Sequence, residues 1–521
     1  MEATGAVAEA IAAVEEGVPV DLPMTSTKRA LIVVLLAMAV SGGYAQSEED
    51  ALRISDLRAA GTGRSSGMAN AFGALGADPA SISINPAGFG LYRTSDISFT
   101  PAMEVNNASN TFYGQEASDS QSRFHFANLA LVLHSPAEKD GDWRGGTFGV
   151  VYDRQATYHW RRNVRSDQVP STFLQGFVNE AAGTLEQDIY DLFPFSAGLA
   201  WDTYAIDPFP LNDSTATDYV SAIPFGETTE QRHTIESRGA SNTTSFFYAG
   251  NYQDKLYLGI SLGLTGHRFR RTTRHQENTL NEDIDLAEVS YMEELNATGN
   301  GVDVKVGVIG RITERFRMGA SFHSPQWMRM NEAYFTSMRT DFRTPDGQGN
   351  TSYSSDSPDG TFSYRVHTPW RAVISAAFIA GPMGLFSLDY EYADMRRARF
   401  RANDRMVDTY DYEWENDLIS DRFAPVHTVR VGTEWRTGHW YYRLGWAYSP
   451  DPYVANDPRH GDGSKVYAGG LGYRTDHVGV DLGLNYIDRT SAHFTYNPFT
   501  VDPTQERTNQ YRALITVSLR P

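Results

Sequence analysis

Beyond Thr94 the chain alternates apolar and polar positions with a period of two. Residues 478–486 read VGVDLGLNY, which puts Val478, Val480, Leu482, Leu484 and Tyr486 on one face and Gly479, Asp481, Gly483 and Asn485 on the other. Residues 256–264 (LYLGISLGL), 302–308, 443–448 and 514–519 repeat the pattern. Such alternation predicts strands with one face in apolar and one in polar surroundings. The polar face is built of glycine and small residues, where a soluble sandwich would need bulk to fill a core. An apolar outside around a small or polar inside predicts an all-β fold, a transmembrane antiparallel β-barrel, with about fourteen strands.

Tyrosine and tryptophan gather near strand ends: Trp143, Tyr158 with Trp160, Trp201 with Tyr204, Trp435 with Trp440, Tyr441 and Tyr442, and Trp446 with Tyr448. An aromatic ring with a polar tip favours the headgroup level, so these predict interface girdles. Residues 251–255 and 474–477 read as tight turns. Residues 161–191, 206–238, 270–299, 328–363, 395–423 and 449–464 read as long polar loops. Short turns at one end and long loops at the other place the long ones outside the cell. Within the first loop, Phe173, Leu174, Phe177 and Val178 form a concentrated apolar patch, the candidate extracellular groove.

Two segments precede the strands. Residues 30–40 (ALIVVLLAMAV) form the one strongly apolar run, preceded by Lys28 and Arg29 and followed by Gly43-Tyr44-Ala45. It is too short to span a bilayer as a helix and has the layout of a signal peptide. The expected organisation is therefore a signal peptide over 1–45, with Met24 as the expected true start and 1–23 an extension. Cleavage is expected before Gln46. Residues 61–91 then carry seven glycines and an Asn85-Pro86-Ala87-Gly88 turn. Glycine suits backbone that presses closely on another surface, and Asn-Pro sets a turn. This predicts that 46–94 is a compact plug inside the barrel formed by 95–521.

Composition narrows the function. The 521 residues carry a net charge of −19, so no basic surplus exists to displace counterions from a nucleic acid. There is no cysteine, hence no disulfide or thiolate chemistry. A mean hydropathy of −0.42 excludes a bundle of membrane helices but not a membrane barrel.

Residues 67–103, GMANAFGALGADPASISINPAGFGLYRTSDISFTPAM, resemble the N-terminal hatch and first strand of the FadL/TodX family of outer-membrane transporters for long-chain fatty acids and other hydrophobic compounds. Gly319 to Pro325 (GASFHSP), Thr368-Pro369-Trp370, Asp389-Tyr390-Glu391-Tyr392 and Arg443 to Pro450 (RLGWAYSP) extend the resemblance along the chain. It implies a fourteen-stranded, plugged barrel in the outer membrane of a Gram-negative-type envelope. It also implies passive uptake of a hydrophobic small molecule and lateral release through the wall. Asn85, Pro86, Ala87 and Gly88 would be the gate. The third strand, with Gly145, Gly146 and Gly149, would carry the wall opening. The implied partners are the hydrophobic ligand and outer-membrane lipid, and the protein would be a monomer without cofactor. An alternative assigns the barrel to protein interaction in a secretion system.

No catalytic constellation emerges. Gly259 to Gly263 matches G-x-S-x-G, but the alternation runs unbroken through it, so Ser261 is a strand residue rather than a nucleophile on a strand-to-helix elbow. The histidines lack the i, i+4 pairing of a zinc site, and no metal ligands are assigned. Arg64, Arg93, Arg123 and Arg154 are expected to neutralise lumen carboxylates, with Asp96, Glu104 and Asp153 as the candidate partners.

Overall fold

The computed structural model describes residues 47–521 except 59, 138–140, 212, 214, 404–409 and 499. The signal-peptide reading of 1–45 therefore falls outside the described residues. Four short helical pieces come first: α1 (Glu48–Ser55), α2 (Gly63–Ser66), α3 (Ser81–Ile84) and a 3-10 turn over Pro86–Leu91. The strands begin with β1 (Asp96–Phe112), β2 (Gln115–Pro136), β3 (Trp143–Thr157) and β4 (Trp160–Val169). A cap follows, made of α4 (Leu174–Ala181), α5 (Ile189–Leu192), α6 (Ala197–Asp202) and the hairpin β5 (Ile206–Phe209) with β6 (Asp218–Ser221). The wall continues through β7 (Thr229–Tyr252), β8 (Leu256–Thr279), β9 (Leu286–Arg311), β10 (Phe316–His323), β11 (Trp327–Phe342), β12 (Ser352–Asp356), β13 (Gly360–His367), β14 (Arg371–Ala380), β15 (Gly384–Asp394) and β16 (Arg399–Ala402). After α7 (Glu413–Arg422) come β17 (Pro425–Thr437), β18 (Trp440–Ser449), β19 (Gly463–Arg474), β20 (Val478–His493) and β21 (Thr504–Leu519).

Every wall pairing is antiparallel, and β1 pairs β21 from Ile97↔Leu519 to Thr111↔Gln505, which closes the sheet. Several staves are made of two consecutive strands, so the described residues form a barrel of 14 staves. Two of the breaks fall at proline, which has no N–H to give the ladder. At Ser324-Pro325-Gln326 and Thr368-Pro369-Trp370 side chains take over the lost bonds. Ser324 Oγ accepts from Val304 N at 2.9 Å and Thr368 Oγ1 from Gln326 N at 2.9 Å. Side chains thus take up the backbone N–H groups that the breaks leave over at these corners.

The alternation has the expected sense. On β20, Val480 and Leu484 are exposed while Asp481, Gly483 and Asn485 are buried. On β8, Leu258, Ile260, Leu262 and Leu264 point outward and Ser261 points in at 1% exposure. Similar outward apolar residues occur around the whole circumference, from Ile97 and Phe99 to Ile515 and Leu519. A closed apolar belt of this extent is far larger than the patches of a soluble monomer and fits a bilayer.

Two expectations need correction. Strand pairing continues through much of what reads as loop: β8 pairs β9 up to Asn278↔Glu288, and β11 pairs β9 up to Phe342↔Leu286. Past the belt the outward face meets water, so Arg268, Arg270 and Arg274 replace leucine and the apolar period disappears while the ladder persists. Among the aromatics, Trp143, Trp435, Trp440, Tyr442 and Trp446 lie outward on the wall. Tyr158 is instead buried in the lumen, and Trp201 and Tyr204 belong to the cap.

Candidate functional site

The segment after α1 lies inside the barrel, and the wall has been thinned to receive it. A Cβ at Gly259 would sit 2.3 Å from Pro86, one at Gly307 2.0 Å from Asn85 Oδ1, and one at Gly445 2.3 Å from Met68. At Gly483 it would meet Gly63 O at 2.6 Å. The glycines on the inner face are thus sockets for the plug's backbone.

Polar groups lock the plug in those sockets. Asn85 Nδ2 donates to Gly73 O at 2.8 Å and Val308 O at 3.2 Å, while its Oδ1 accepts from Ala87 N at 3.1 Å. Pro86, Ala87 and Gly88 are buried in the 3-10 turn that this bond caps. Phe72 N and Gly73 N donate to Asp389 Oδ2 at 2.7 and 2.9 Å, and Gly63 N donates to Thr516 Oγ1 at 2.7 Å. Phe89 stacks on Phe247 at 3.7 Å between centroids. Burying such a ring stabilises the contact by about 1.5–3 kcal/mol.

A chain of alternating charges binds plug to wall. Arg64 pairs with Glu434 at 2.9 Å, Glu434 with Arg443 at 2.6 Å, Arg443 with Asp481 at 2.8 Å, and Asp481 with Arg474 at 2.7 Å. Buried charges persist only when paired in this way. The expectation that lumen arginines neutralise carboxylates holds for Arg64, but not with a partner named, and Arg93 is exposed rather than in the lumen. Arg93 pairs Asp254, while Arg154 bonds Asn242. Asp96 and Glu104 are taken by Arg520 and Arg512, and Asp153 by Asn128, Ser83 and Gln155. These partners are set by barrel closure and plug placement, which no local pattern reports.

The wall parts beside the plug. β2 pairs β3 from Pro136↔Gly145 to Asn128↔Asp153 and no further among the described residues. On β2 the register slips at Phe126–Asn128 against Thr100/Pro101. On β3 it slips between Arg154 and Ala156. Beyond this point the third stave leans toward β1, where Asn106 Nδ2 donates to His159 O at 2.7 Å and Asn110 Nδ2 to Asn163 O at 3.1 Å. Arg161 and Asp119 rejoin the edges at 3.3 Å higher up. Gly146 and Gly149 lie within paired ladder on both sides, and Gly145 ends the β2 ladder beside a register slip against β7 between Trp143 and Gly145, so the break above Asn128↔Asp153 is not at these glycines. A bulged strand bends at its extra residue, and that residue is Gln155. The plug residue at the break is Ser83, which accepts from Gln155 Nε2 at 2.8 Å and also bonds Asp153. Asn85 instead faces β9 and β10. Sequence reasoning missed Ser83 and Gln155, and placed Asp153 only as a partner for a lumen arginine; a polar run has no feature that marks a bulge.

Above the plug is a cavity of about 180 Å³. Leu57, Ile84, Met395, Val426 and Ile487 give it apolar wall, and Asp56, Arg58, Arg371, Glu391, Arg430 and Arg512 give it charge. Glu391 pairs with Arg430 at 2.8 Å and lies 3.7 Å from Arg371. α1 lies beyond the cavity, toward the long-loop end. Its Ala51 and Ile54 join Tyr364, Phe400, Tyr412, Ile419, Phe423 and Tyr453 in one cluster.

The apolar patch of the first loop is not an open groove. Phe173 and Leu174 are buried with Leu199, Ile206, Ile223 and Met338 in the core of the cap, and Phe177 and Val178 pack against it. Glu277 fixes the cap to the wall, accepting from Thr172 Oγ1 at 2.6 Å and Phe173 N at 2.8 Å.

The sequence matches no protein-family model and no curated protein. Solved structures do resemble the chain. The P. putida toluene transporter TodX is 11% identical with a TM-score of 0.49, over 87% of this chain and 98% of that one. A Pseudomonas aeruginosa FadL homologue is 12% identical with a TM-score of 0.48, over 88% and 97%. The Ralstonia pickettii toluene transporter TbuX is 13% identical with a TM-score of 0.45, over 87% and 97%. The chain is similar across most of its length to solved structures of the FadL, TodX and TbuX kind.

Proposed function

We propose that the protein is an outer-membrane channel for passive uptake of small hydrophobic molecules, which enter from the long-loop end and leave sideways through the parted wall. The observation that carries this reading is the break above Asn128↔Asp153, at the height where Phe124 and Phe126 of β2 face outward, with the plug residue Ser83 at its rim. A closed ladder would offer an apolar solute no route that avoids water. An opening at belt height delivers it into lipid, at a gain of about 0.8 kcal/mol per methylene buried. The plug meanwhile stops ions and water.

The cavity lining supports a cargo with an apolar body and one polar or anionic end, because its apolar side chains face four arginines against two carboxylates, Asp56 and Glu391. Long-chain carboxylates and substituted aromatics share that chemistry. The role asks for passage rather than bond-making.

Deleting Gln155 removes the extra residue that bends β3 and lets the ladder continue upward. Uptake of radiolabelled hexadecanoate and of toluene into cells should fall at least tenfold, with the amount of assembled barrel unchanged. Undiminished uptake by the deletion variant would refute lateral exit at this break.

A further inference from the structure

Above Asn128↔Asp153 both edges of the parted wall carry arginine. On β2, Arg123 comes next above the outward Phe124 and stands opposite Glu104 on β1, so it belongs to the inner face. Glu104 and His125 on that face are buried, whereas Arg123 is exposed, because the ladder to β3 has ended below it. On the other edge, Arg154 is the last residue of β3 in register before the slip. It lies two residues beyond Tyr152 on the outer face, opposite Asn242, where the belt residues Tyr248 and Phe246 of β7 give way to Thr244 and Asn242. Each arginine thus sits at the upper limit of the belt on its own stave. Both act electrostatically on His159, and Arg154 acts with Arg512 on His125, so the two charges converge across the break.

Among the described residues neither arginine is paired with a carboxylate. The Arg123 side chain makes no hydrogen bond or ion pair there, and Arg154 gives its Nε to the neutral Asn242 Oδ1 at 3.2 Å. The carboxylates that border the break are engaged by other groups. Glu104 pairs with Arg512 at 2.6 Å and Asp119 with Arg161 at 3.3 Å, while Asp153 accepts from Asn128 and Gln155 at 3.2 and 3.0 Å. Two unbalanced cations beside hydrocarbon attract an anion strongly, since little water screens them. The row also reaches back into the lumen. Arg512 lines the cavity above the plug and stands opposite Glu104 on β21. Arg512, Glu104 and Arg123 therefore form one row across three adjacent strands of the inner wall, about 10 Å from end to end.

We propose that Arg123 and Arg154 make the opening selective for anionic amphiphiles, taking a carboxylate head from Arg512 at the cavity and holding it at headgroup level while the apolar tail slides into the leaflet past Phe124 and Phe126. A carboxylate cannot cross hydrocarbon unpaired without a large cost. An amphiphile that leaves sideways must therefore keep its head at the upper limit of the belt, where these two residues stand. The guanidinium fork matches the two oxygens of a carboxylate. A neutral solute gains nothing from the arginines and needs only the gap. This inference rests on the lateral-exit reading and adds to it the residues that sort cargo by charge.

Uptake of radiolabelled hexadecanoate, hexadecan-1-ol and toluene into cells that depend on this protein tests it. The alcohol keeps the chain length and removes the charge. In the R123Q/R154Q variant hexadecanoate uptake should fall about tenfold, the loss expected for one charge-assisted hydrogen bond. Uptake of the alcohol and of toluene should be unchanged. R123K/R154K, which keeps both charges, should recover most of the hexadecanoate uptake. Unchanged heat-modifiable mobility on gels reports an intact barrel, and the single variants R123Q and R154Q are read instead should the double one fail that check. A fall of all three cargoes together would show that the arginines hold the wall or a lipid headgroup, and would overturn the proposal. Undiminished hexadecanoate uptake would overturn it as well, with lateral exit left standing. A wild type that carries none of the three would sink the channel reading, and this inference with it.

Discussion

Gly307 shows how much a single missing side chain decides. Its absent Cβ is the space that Asn85 Oδ1 occupies, and Asn85 in turn ties the Pro86 turn to Gly73 and Val308. Gly307→Ala should push Asn85 off these acceptors, leaving buried carbonyls unpaired at a cost of about 1–3 kcal/mol each. The expected readout is flickering ion conductance in planar bilayers from an otherwise normal barrel. Gly266→Ala, which adds its methyl to open space, should remain silent. At this scale the sequence was half legible. Glycines on an inner face announce close approach, and alternation sends Asp481 and Asn485 inward and Val480 outward without knowledge of the fold. Which backbone fills each glycine, or that Arg64 would find Glu434 some 370 positions away, depends on plug position and on the register of a closed barrel.

Among the elements, α1 depends most on its neighbours. Eight residues are too few for a helix to persist alone in water. Its capping box and first-turn acids help, but what holds it is the clasp at the long-loop end. Arg459 reaches Glu48 at 3.1 Å, Glu49 at 3.0 Å and Asp457 at 2.9 Å, and Arg422 also pairs with Glu48. Arg459→Gln should loosen the helix by about 2–3 kcal/mol, seen as faster hydrogen exchange across α1 with the wall strands unaffected. Asp457 adds a pH signature. Burial pushes its carboxyl up, but the hydrogen bonds and charge of Arg459 outweigh that and hold it below the ordinary range. A carboxylate depressed in the folded state contributes its stability above its unfolded pKa, about 4, and loses it as pH falls further. Protection of α1 should therefore be flat from pH 8 to 5 and decline below 4. A decline already complete at pH 6 would point to another group. None of this clasp was legible beforehand. Strands inside the belt announce themselves through an apolar period of two. The strand extensions past it, the Gln155 bulge and the loop clasp sit where both faces are polar or both are buried, and there the period carries no signal.

For the whole molecule, two surfaces divide the labour: an outer belt that answers to lipid and an inner wall that answers to the plug. Adjacent residues of β20 separate them. Leu482→Arg places a charge in the belt and should destabilise the barrel by about 2–4 kcal/mol if near the midplane, measured as a lower temperature for loss of heat-modifiable mobility. Gly483→Arg drives a side chain into Gly63 and should leave the barrel intact while unseating the plug. The belt and lumen faces, the fourteen staves and the plug's existence were all readable from the alternation and the glycine-rich leader, because each is repeated or concentrated along the chain.

Removing the leader from Ser47 to Thr94 tests how far barrel and plug are separable. No stave is lost, since β1 begins at Asp96 and closes against β21. The buried charges also survive the deletion. Without Arg64 the wall keeps Glu434 and Asp481 against Arg443 and Arg474, two anions to two cations, so these carboxylates stay paired. What disappears is the filling. The sockets at Gly259, Gly307, Gly445 and Gly483 would then line an unfilled lumen, and the polar groups that bound the plug, Asp389 and Thr516 among them, would turn to water. The deleted protein should assemble with normal heat-modifiable mobility and conduct steadily rather than in flickers. It should also lose selectivity for apolar solutes, admitting small sugars that the intact protein excludes. Assembly with neither conductance nor sugar entry would mean that the wall is sealed by the cap and α7 region instead, and that the leader is not the barrier.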